Sequence, residues 1–204
     1  MRRPARHPDR GRGHVSRWLS VPLVVALALG GCSDADAEPP AVVPGGAAAL
    51  PGPAPTGLAL RDPPASAPTA PKFTATLTDG SSLEVARLWA DRPVVLVFFA
   101  SWCATCAERQ DALSDLAGAY RDRVVFVGVA SDDKPAALVD FLRAHRVDYP
   151  VATDPAMEVW RAYAMREPPG VVLVSRGGRL LRGWPGGVDA ATLDSSLKTL
   201  VLAP

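Results

Sequence analysis

Two cysteines set two residues apart, Cys103 and Cys106, are the residues of this chain best suited to chemistry. They lie in the stretch "VVLVFFASWCATCAERQ", which covers residues 94–110 and begins with an apolar run. The third cysteine, Cys32, lies far towards the N-terminus. A Cys-x-x-Cys pair can bind a metal, form a structural disulfide or exchange disulfide bonds with other proteins. The surrounding sequence is needed to distinguish among these three roles.

A zinc site needs four ligands, or three and a water, from cysteine, histidine or carboxylate. The chain has no second Cys-x-x-Cys, and the only histidine after residue 71 is His145, which the helical pattern places on a surface helix. A purely structural disulfide that closes so short a loop would restrict the unfolded chain little. These arguments favour a reactive dithiol, and neither a metal nor another cofactor is expected.

The elements around the pair would make it reactive. Residues 94–100 are apolar throughout and rich in valine and phenylalanine, which predicts a strand buried on both faces. Apolar residues at helical spacing then predict a helix that starts near Cys103: Leu113, Leu116, Ala117 and Tyr120. A cysteine in the first turn faces free backbone N–H groups, which lower the thiol pKa from about 8.5 to roughly 3.5–7.5. Cys103 is therefore predicted to be the nucleophile, with Cys106 resolving the mixed disulfide.

The rest of this region alternates strands and helices. Residues 73–77 and 83–85 predict a hairpin around Asp79-Gly80, and residues 124–130 predict a second buried strand. Helices are predicted after Asp133, which can serve as an N-cap, and after Asp154. A strand at residues 171–174, a partner at residues 179–182 and a closing helix at residues 190–202 complete an α/β fold with helices on both faces of a central sheet.

The N-terminus is typical of an export signal. Residues 1–17 are polar and rich in arginine, and residues 18–31 form a 14-residue apolar run. That run is shorter than the ~20 residues of a membrane-spanning helix and suits a signal peptide of residues 1–31. It ends in "LGGC", which resembles a bacterial lipobox and implies cleavage before Cys32, lipidation of its thiol and a membrane anchor.

Residues 32–71 contain many prolines and no apolar periodicity, which predicts a disordered linker after the lipidated cysteine. Residues 72–204 are long enough to form one domain with its own core. The formal net charge of the chain is +1, and its positive excess lies in the first 17 residues. The domain therefore has no basic stripe, and no nucleic-acid partner is expected.

The stretch "VVLVFFASWCATC", followed downstream by "PPGVVLVSRGGRL", resembles the thioredoxin superfamily. More narrowly, it is similar to the TlpA-like thiol–disulfide oxidoreductases that are anchored outside the cytoplasm, including those that keep apocytochrome c reduced for haem attachment. The similarity covers about residues 73–202. It implies a thioredoxin-like fold with a central mixed sheet, an N-terminal β-hairpin and a helical insert.

The resemblance also implies the substrate groove. In this family a cis-proline lies opposite the dithiol, and the register of the chain matches it to Pro169. Trp102 is then expected on the substrate face. Pro168 precedes the cis-proline and lacks an N–H, so the groove would lose one donor to a substrate backbone.

Three positions depart from the family pattern. Thr105 stands where most relatives carry a proline, which leaves the reduction potential open. Val97 occupies the position of a buried proton-transferring aspartate in thioredoxin. Glu108 is the nearest candidate for a replacement base, although a solvated carboxylate in the first turns of a helix is the simpler interpretation.

The expected activity is thiol–disulfide exchange on exported proteins, in the reducing direction, with apocytochrome c as a possible substrate class. Because the setting outside the cytoplasm is oxidising, a reductase there would need electrons from a membrane donor. An oxidant or isomerase of exported proteins, and a non-catalytic binding lipoprotein with the same fold, remain open alternatives.

Overall fold

A computed structural model describes residues 42–203 of the chain. Seven strands form one mixed sheet in the order β2-β1-β5-β4-β3-β6-β7. The strands are β1 (Thr74–Leu77), β2 (Ser82–Glu84), β3 (Val94–Phe99), β4 (Val125–Ala130), β5 (Val151–Thr153), β6 (Gly170–Val174) and β7 (Leu180–Pro185). The helices are α1 (Val85–Asp91), α2 (Ala104–Tyr120), α3 (Pro135–Ala144), α4 (Glu158–Ala162) and α5 (Ala190–Leu200). The predicted α/β fold with a central mixed sheet and an N-terminal β-hairpin is confirmed.

The two central strands are those that the apolar runs predicted. Every residue of β3 and β4 is buried, and the two strands pair in parallel, whereas β3 pairs with β6 in the antiparallel sense. Strands covered on both faces need apolar side chains at every position rather than at alternate ones. This explains why "VVLVFF" and "VFVGVA" show no polar alternation.

Helices cover both faces of the sheet. On one face α2, α3 and α5 pack over Val95, Val97 and Phe99, and both cysteines belong to this cluster. On the other face α1 and α4 pack with the hairpin over Leu96 and Phe98. Because successive strand residues point to opposite faces, β3 supplies both halves of the core.

Two elements differ from the sequence expectation. Residues 85–91, whose beginning was predicted to end the hairpin, form α1, which buries Val85 and Trp89. The predicted two-helix insert also contains the three-residue strand β5, which pairs with β4 and with β1. β5 joins the N-terminal hairpin to the central sheet, so the hairpin is part of the same seven-stranded sheet.

The described part of the expected linker is ordered, which corrects that expectation for residues 42–71. This segment, called here the N-terminal strap, starts against β5 and the hairpin, where the N–H of Val151 donates to the carbonyl of Gly45. A short 3-10 helix follows (Ala47–Ala49), and the N–H of Ala47 donates to the Asp79 carboxylate at 2.7 Å. The buried Arg92 then donates to the carbonyl of Gly52 at 2.7 Å.

The second half of the strap runs along the C-terminal end of the chain and the β6–β7 hairpin. Leu60 forms a bridge with Leu202, and Thr69 forms a bridge with Arg179. The strap ends on Ala70, which is buried, and on the carbonyl of Pro71, which accepts from the Tyr163 hydroxyl at 2.6 Å. Backbone hydrogen bonds to the domain thus replace the apolar periodicity whose absence had suggested disorder.

The predicted signal peptide and Cys32 lie outside the described residues. Within residues 42–203, none of the helices is both long and apolar enough to cross a bilayer. The same part of the chain contains no group of three or more histidine, cysteine or acidic side chains placed to hold a metal ion.

Candidate active site

The dithiol lies where β3 gives way to α2. Cys103 is the N-cap residue of α2 and Cys106 lies in its first turn. Their Cα atoms are 5.2 Å apart, and the two sulfurs are joined in a disulfide. Both side chains are largely shielded, with 8% of Cys103 and 3% of Cys106 exposed, so Cys103 is the more accessible of the two.

The Cys103 sulfur occupies the place of a helix-capping acceptor. The backbone N–H of Cys106 points at Cys103 Sγ, with 3.1 Å between the nitrogen and the sulfur. The N–H of Cys103 itself donates to the carbonyl of Ala100, which fixes the turn out of the strand. Since the first N–H groups of a helix have no partner inside it, this arrangement favours negative charge on Sγ once the disulfide opens.

The surroundings of the two sulfurs are apolar. Val97, which is 2% exposed, belongs to the same core cluster as both cysteines. No carboxylate therefore comes from the β3 position at which thioredoxin has its buried aspartate. Glu108 lies on α2 and is exposed, as a solvated carboxylate would be, and its role in proton transfer stays a prediction.

The remainder of α2 is held by a buried polar network. Gln110, which is 1% exposed, donates to the Tyr149 hydroxyl at 2.6 Å and lies 3.3 Å from Ser114 Oγ. Burial raises the pKa of Tyr149, so its hydroxyl stays neutral and can complete the network. The Ser114 hydroxyl in turn donates to the carbonyl of His145 at 2.9 Å. The helix that carries the dithiol is thereby tied to the end of α3.

The proline pair lies at the start of β6, and the peptide bond between Pro168 and Pro169 is cis, where the resemblance implied a cis-proline. The loop after β7 approaches it closely: a Cβ added to Gly187 would lie 2.8 Å from Pro169 Cγ and 2.9 Å from a terminal nitrogen of Arg109. Arg109 also donates to the carbonyl of Gly186 at 3.0 Å. This guanidinium, which the sequence analysis did not single out, ties α2 to the loop beside the prolines.

Trp102 stands out on the surface next to the dithiol. Its side chain is 67% exposed, whereas Trp89 and Trp160 are buried in the core. Thr105 is also exposed, in the first turn of α2. Trp102 therefore places exposed apolar surface next in sequence to the shielded sulfur of Cys103.

Sequence reasoning misplaced Asp133. It was predicted to cap α3, but Lys134 occupies the N-cap position and makes no side-chain capping bond. Instead, Asp133 Oδ1 accepts from the backbone N–H of Ser101 at 2.8 Å and from the Ser101 hydroxyl. The signal that could have located it is the rule that polar residues after neighbouring parallel strands meet at one edge of the sheet.

Comparison with known proteins agrees with this geometry. The model of the AhpC/TSA family matches residues 67–182. The thiol-disulfide oxidoreductase ResA of Bacillus thuringiensis subsp. konkukian is 24% identical over 132 residues, which cover 64% of this chain and 76% of that protein.

Two solved structures are similar in both fold and sequence. MTB dsbF, solved in mixed oxidised and reduced forms, is 26% identical with a TM-score of 0.60, and the match covers 65% of this chain and 99% of that one. A secreted Mycobacterium tuberculosis disulfide oxidoreductase homologous to E. coli DsbE is 27% identical with a TM-score of 0.54, over 60% of this chain and 90% of that one. The chain therefore belongs to the AhpC/TSA family within the thioredoxin superfamily, and it is a thiol–disulfide oxidoreductase of the ResA/DsbE kind.

Proposed function

We propose that this protein is a lipid-anchored reductase that acts outside the cytoplasm on disulfides of exported proteins, apocytochrome c among them. The observation that carries the proposed chemistry is the Cys103 sulfur at the N-cap of α2, where it faces the N–H of Cys106. A thiolate at this position is stabilised without a neighbouring base, and the resolving sulfur lies in the same helical turn.

The reaction starts from the reduced protein. The Cys103 thiolate attacks one sulfur of the partner's disulfide, forms an intermolecular disulfide and releases the partner's other sulfur as a thiolate. Cys106, after losing its proton to solvent, attacks Cys103 Sγ and releases the partner's second sulfur. Two electrons pass from the dithiol to the partner, which leaves the Cys103–Cys106 disulfide described above.

The substrate groove would lie between Trp102 and the proline pair. Trp102 supplies exposed apolar surface, and Pro169 with its cis bond would border the opposite side. Pro168 can accept a hydrogen bond from an extended substrate but cannot donate one. We expect the groove to bind polypeptide mainly through apolar contact and through that carbonyl.

Location outside the cytoplasm is supported by the sequence pattern of residues 1–31, which is typical of an export signal, and by the similarity to a secreted disulfide oxidoreductase. Lipidation of Cys32 would keep the protein at the membrane surface. In that oxidising setting the dithiol has to be reduced again after each turnover, and we propose a membrane protein as the electron donor.

The decisive experiment is to trap the partner with a Cys106→Ser variant of the full chain. Without the resolving sulfur, the mixed disulfide at Cys103 should accumulate and can be identified by mass spectrometry. Cys103→Ser is the matched control, because it keeps Cys106 and should trap nothing. Failure of the first variant to form any adduct would favour the non-catalytic binding lipoprotein.

A redox titration separates the two directions of exchange. A reduction potential near about −270 mV, where thioredoxin lies, supports the reductase, and a potential near about −120 mV, where DsbA lies, supports the oxidant. Thr105 is one determinant to test, because it replaces a proline between the two cysteines.

A further inference from the structure

A pocket lies at the carboxyl ends of β4 and β5, and its lining residue Asp133 is hydrogen-bonded to Ser101, two residues before Cys103. Its volume is about 210 Å³, and Leu138 and Val139 of α3 give it an apolar wall. Its polar lining consists of Ser131, Asp133, Thr78 and Thr153, and the hydroxyls of the two threonines already donate to backbone carbonyls. Ligands of open α/β sheets bind at the carboxyl ends of the strands, which is the edge that also carries Cys103.

Two polar atoms in this pocket lack the partners that buried groups normally have. Ser131 is 5% exposed, and its hydroxyl oxygen is buried without a hydrogen bond. The Oδ2 atom of Asp133 is buried without a partner as well, while Oδ1 accepts two hydrogen bonds from Ser101. Since a buried carboxylate oxygen without a donor is costly, Oδ2 of Asp133 would gain from a hydrogen-bond donor.

A cation is the partner that best suits the Asp133 carboxylate. Two further carboxylates flank the pocket lining in sequence, Asp79 next to Thr78 and Asp154 next to Thr153. Asp154 is saturated by two backbone N–H groups, and Asp79 by the N–H of Ala47 and by Ser81. Within residues 42–203, Asp133 forms no ion pair with a lysine, arginine or histidine.

The shape of the pocket suits a cation on an apolar stem. Its lining includes Pro135 and Pro155, which are both exposed, and the aliphatic side chains of Leu138 and Val139. Lysine and arginine bury their methylene stems against apolar surface and keep the charged end in polar surroundings, which the Asp133 carboxylate would supply here. A volume of about 210 Å³ is below the ~300 Å³ at which pockets for larger ligands begin, which fits a single side chain.

We propose that this pocket is a specificity site that receives a lysine or arginine side chain of the substrate polypeptide. The proposal rests on the exchange activity proposed above and names the sequence that the site prefers. Ser101, bonded to Asp133, is two residues from Cys103, and two residues of extended backbone span no more than about 7 Å. At ~3.3 Å per extended residue, we expect the basic residue within about four positions of the substrate cysteine under attack.

The test uses synthetic peptides that each contain one disulfide. Lysine, arginine, norleucine or glutamate is placed in turn at each of the four positions on either side of the reactive cysteine, and kcat/KM is measured with the reduced full chain. At one position, the basic residues should exceed norleucine by about tenfold or more, because hydrogen bonds to charged groups are the strong ones. Equal rates for lysine and norleucine at all positions would overturn the proposal.

Variants of the pocket then test whether the preference for a basic residue arises there. Asp133→Asn should reduce the ratio of kcat/KM for the lysine peptide to kcat/KM for the norleucine peptide to about threefold or less. A general effect of the substitution on Cys103 would change both values alike and would leave their ratio unchanged. Asp132→Asn is the matched control, because it removes the same charge from the exposed neighbour and should keep the ratio. If Asp133→Asn does not fold, Val139→Phe, which fills the pocket, should lower the ratio instead.

The outcomes separate the two proposals. A lysine preference that survives both Asp133→Asn and Val139→Phe would assign it to another surface and overturn the pocket. No exchange with any peptide would instead contradict the proposed reductase, since norleucine peptides need only the dithiol and the groove.

Discussion

The N-terminal strap and the dithiol segment (residues 101–106) are held to the same sheet in opposite ways. The strap has almost no regular structure and is fixed by many separate backbone bonds spread from Gly45 to Pro71. The dithiol segment is fixed at a few points, above all the Cys106 N–H and the Asp133 carboxylate. Stability is therefore distributed along the strap, whereas reactivity is concentrated in a handful of atoms.

This contrast predicts the largest effect at Cys103. Cys103→Ser should reduce disulfide exchange by about a thousandfold or more, because the nucleophile is lost. Serine is a favoured N-cap residue, so the free energy of unfolding under reducing conditions should change by less than about 0.5 kcal/mol. Turnover of a disulfide substrate and urea unfolding measure the two quantities. A destabilised Cys103→Ser protein would mean that the dithiol segment also supports the fold.

A substitution in the strap should lower stability and leave the exchange activity unchanged, which is the opposite of the effect at Cys103. Gly45 has a φ of 78°, and an added Cβ would lie 2.9 Å from Val151 Cβ and 3.0 Å from Leu142 Cδ1. Gly45→Ala should therefore cost about 1–3 kcal/mol of unfolding free energy and leave exchange by the folded protein unchanged. Gly52→Ala is the control, because nothing lies within 4 Å of its added Cβ. Equal stability of the two variants in urea would show that the strap contributes little to the fold.

Gly187 tests whether the groove extends beyond the dithiol segment. Its φ is 77°, and an added Cβ would meet Pro169 and Arg109, whereas Gly186 has a similar φ of 86° and nothing within 4 Å. Gly187→Ala should lower kcat/KM for polypeptide disulfides about fivefold, because misplacing a positioning residue is costly, and should spare a small disulfide reagent. Gly186→Ala shares the backbone strain, so an equal loss in both variants would assign the effect to strain alone.

The smallest effect concerns the packing of α2 on α5. Burial, followed by the hydrogen bond to Asp194 and the charge of that carboxylate, raises the pKa of Tyr120 to about 12. The pKa is higher in the folded protein than in the unfolded chain, so Tyr120 contributes stability that is fully present below about pH 10 and is lost as pH rises towards 12. Between pH 8 and 12, the free energy of unfolding in urea should fall less for Tyr120→Phe than for the wild-type protein. Identical pH profiles would contradict this.

The sequence predicted well what local patterns encode. The apolar runs of β3 and β4, the Asp79-Gly80 turn and the helix after Cys103 all appear in the structure. Each is specified by neighbouring residues, through burial on both faces, a residue with positive φ or free N–H groups. The cis bond before Pro169 came from the resemblance and not from such a pattern.

What the sequence did not predict depends on contacts between distant residues. The strap lacks apolar periodicity because its backbone, rather than its side chains, bonds to the domain. β5 has three residues and becomes a strand only because β4 and β1 flank it. Asp133 looked like a helix cap because capping is local, but its partner Ser101 is 32 residues away. Local propensity yields to tertiary context at such places.

The docking of the strap also limits how far the protein can work from a membrane. If Cys32 carries a lipid, only ten backbone steps separate it from Val42, where the described chain begins. Even a fully extended chain of that length spans no more than about 36 Å, whereas a free tether up to residue 71 could span several times as much. The enzyme would then serve a thin layer above the bilayer, reducing polypeptides as they emerge from it and ignoring those that have diffused away.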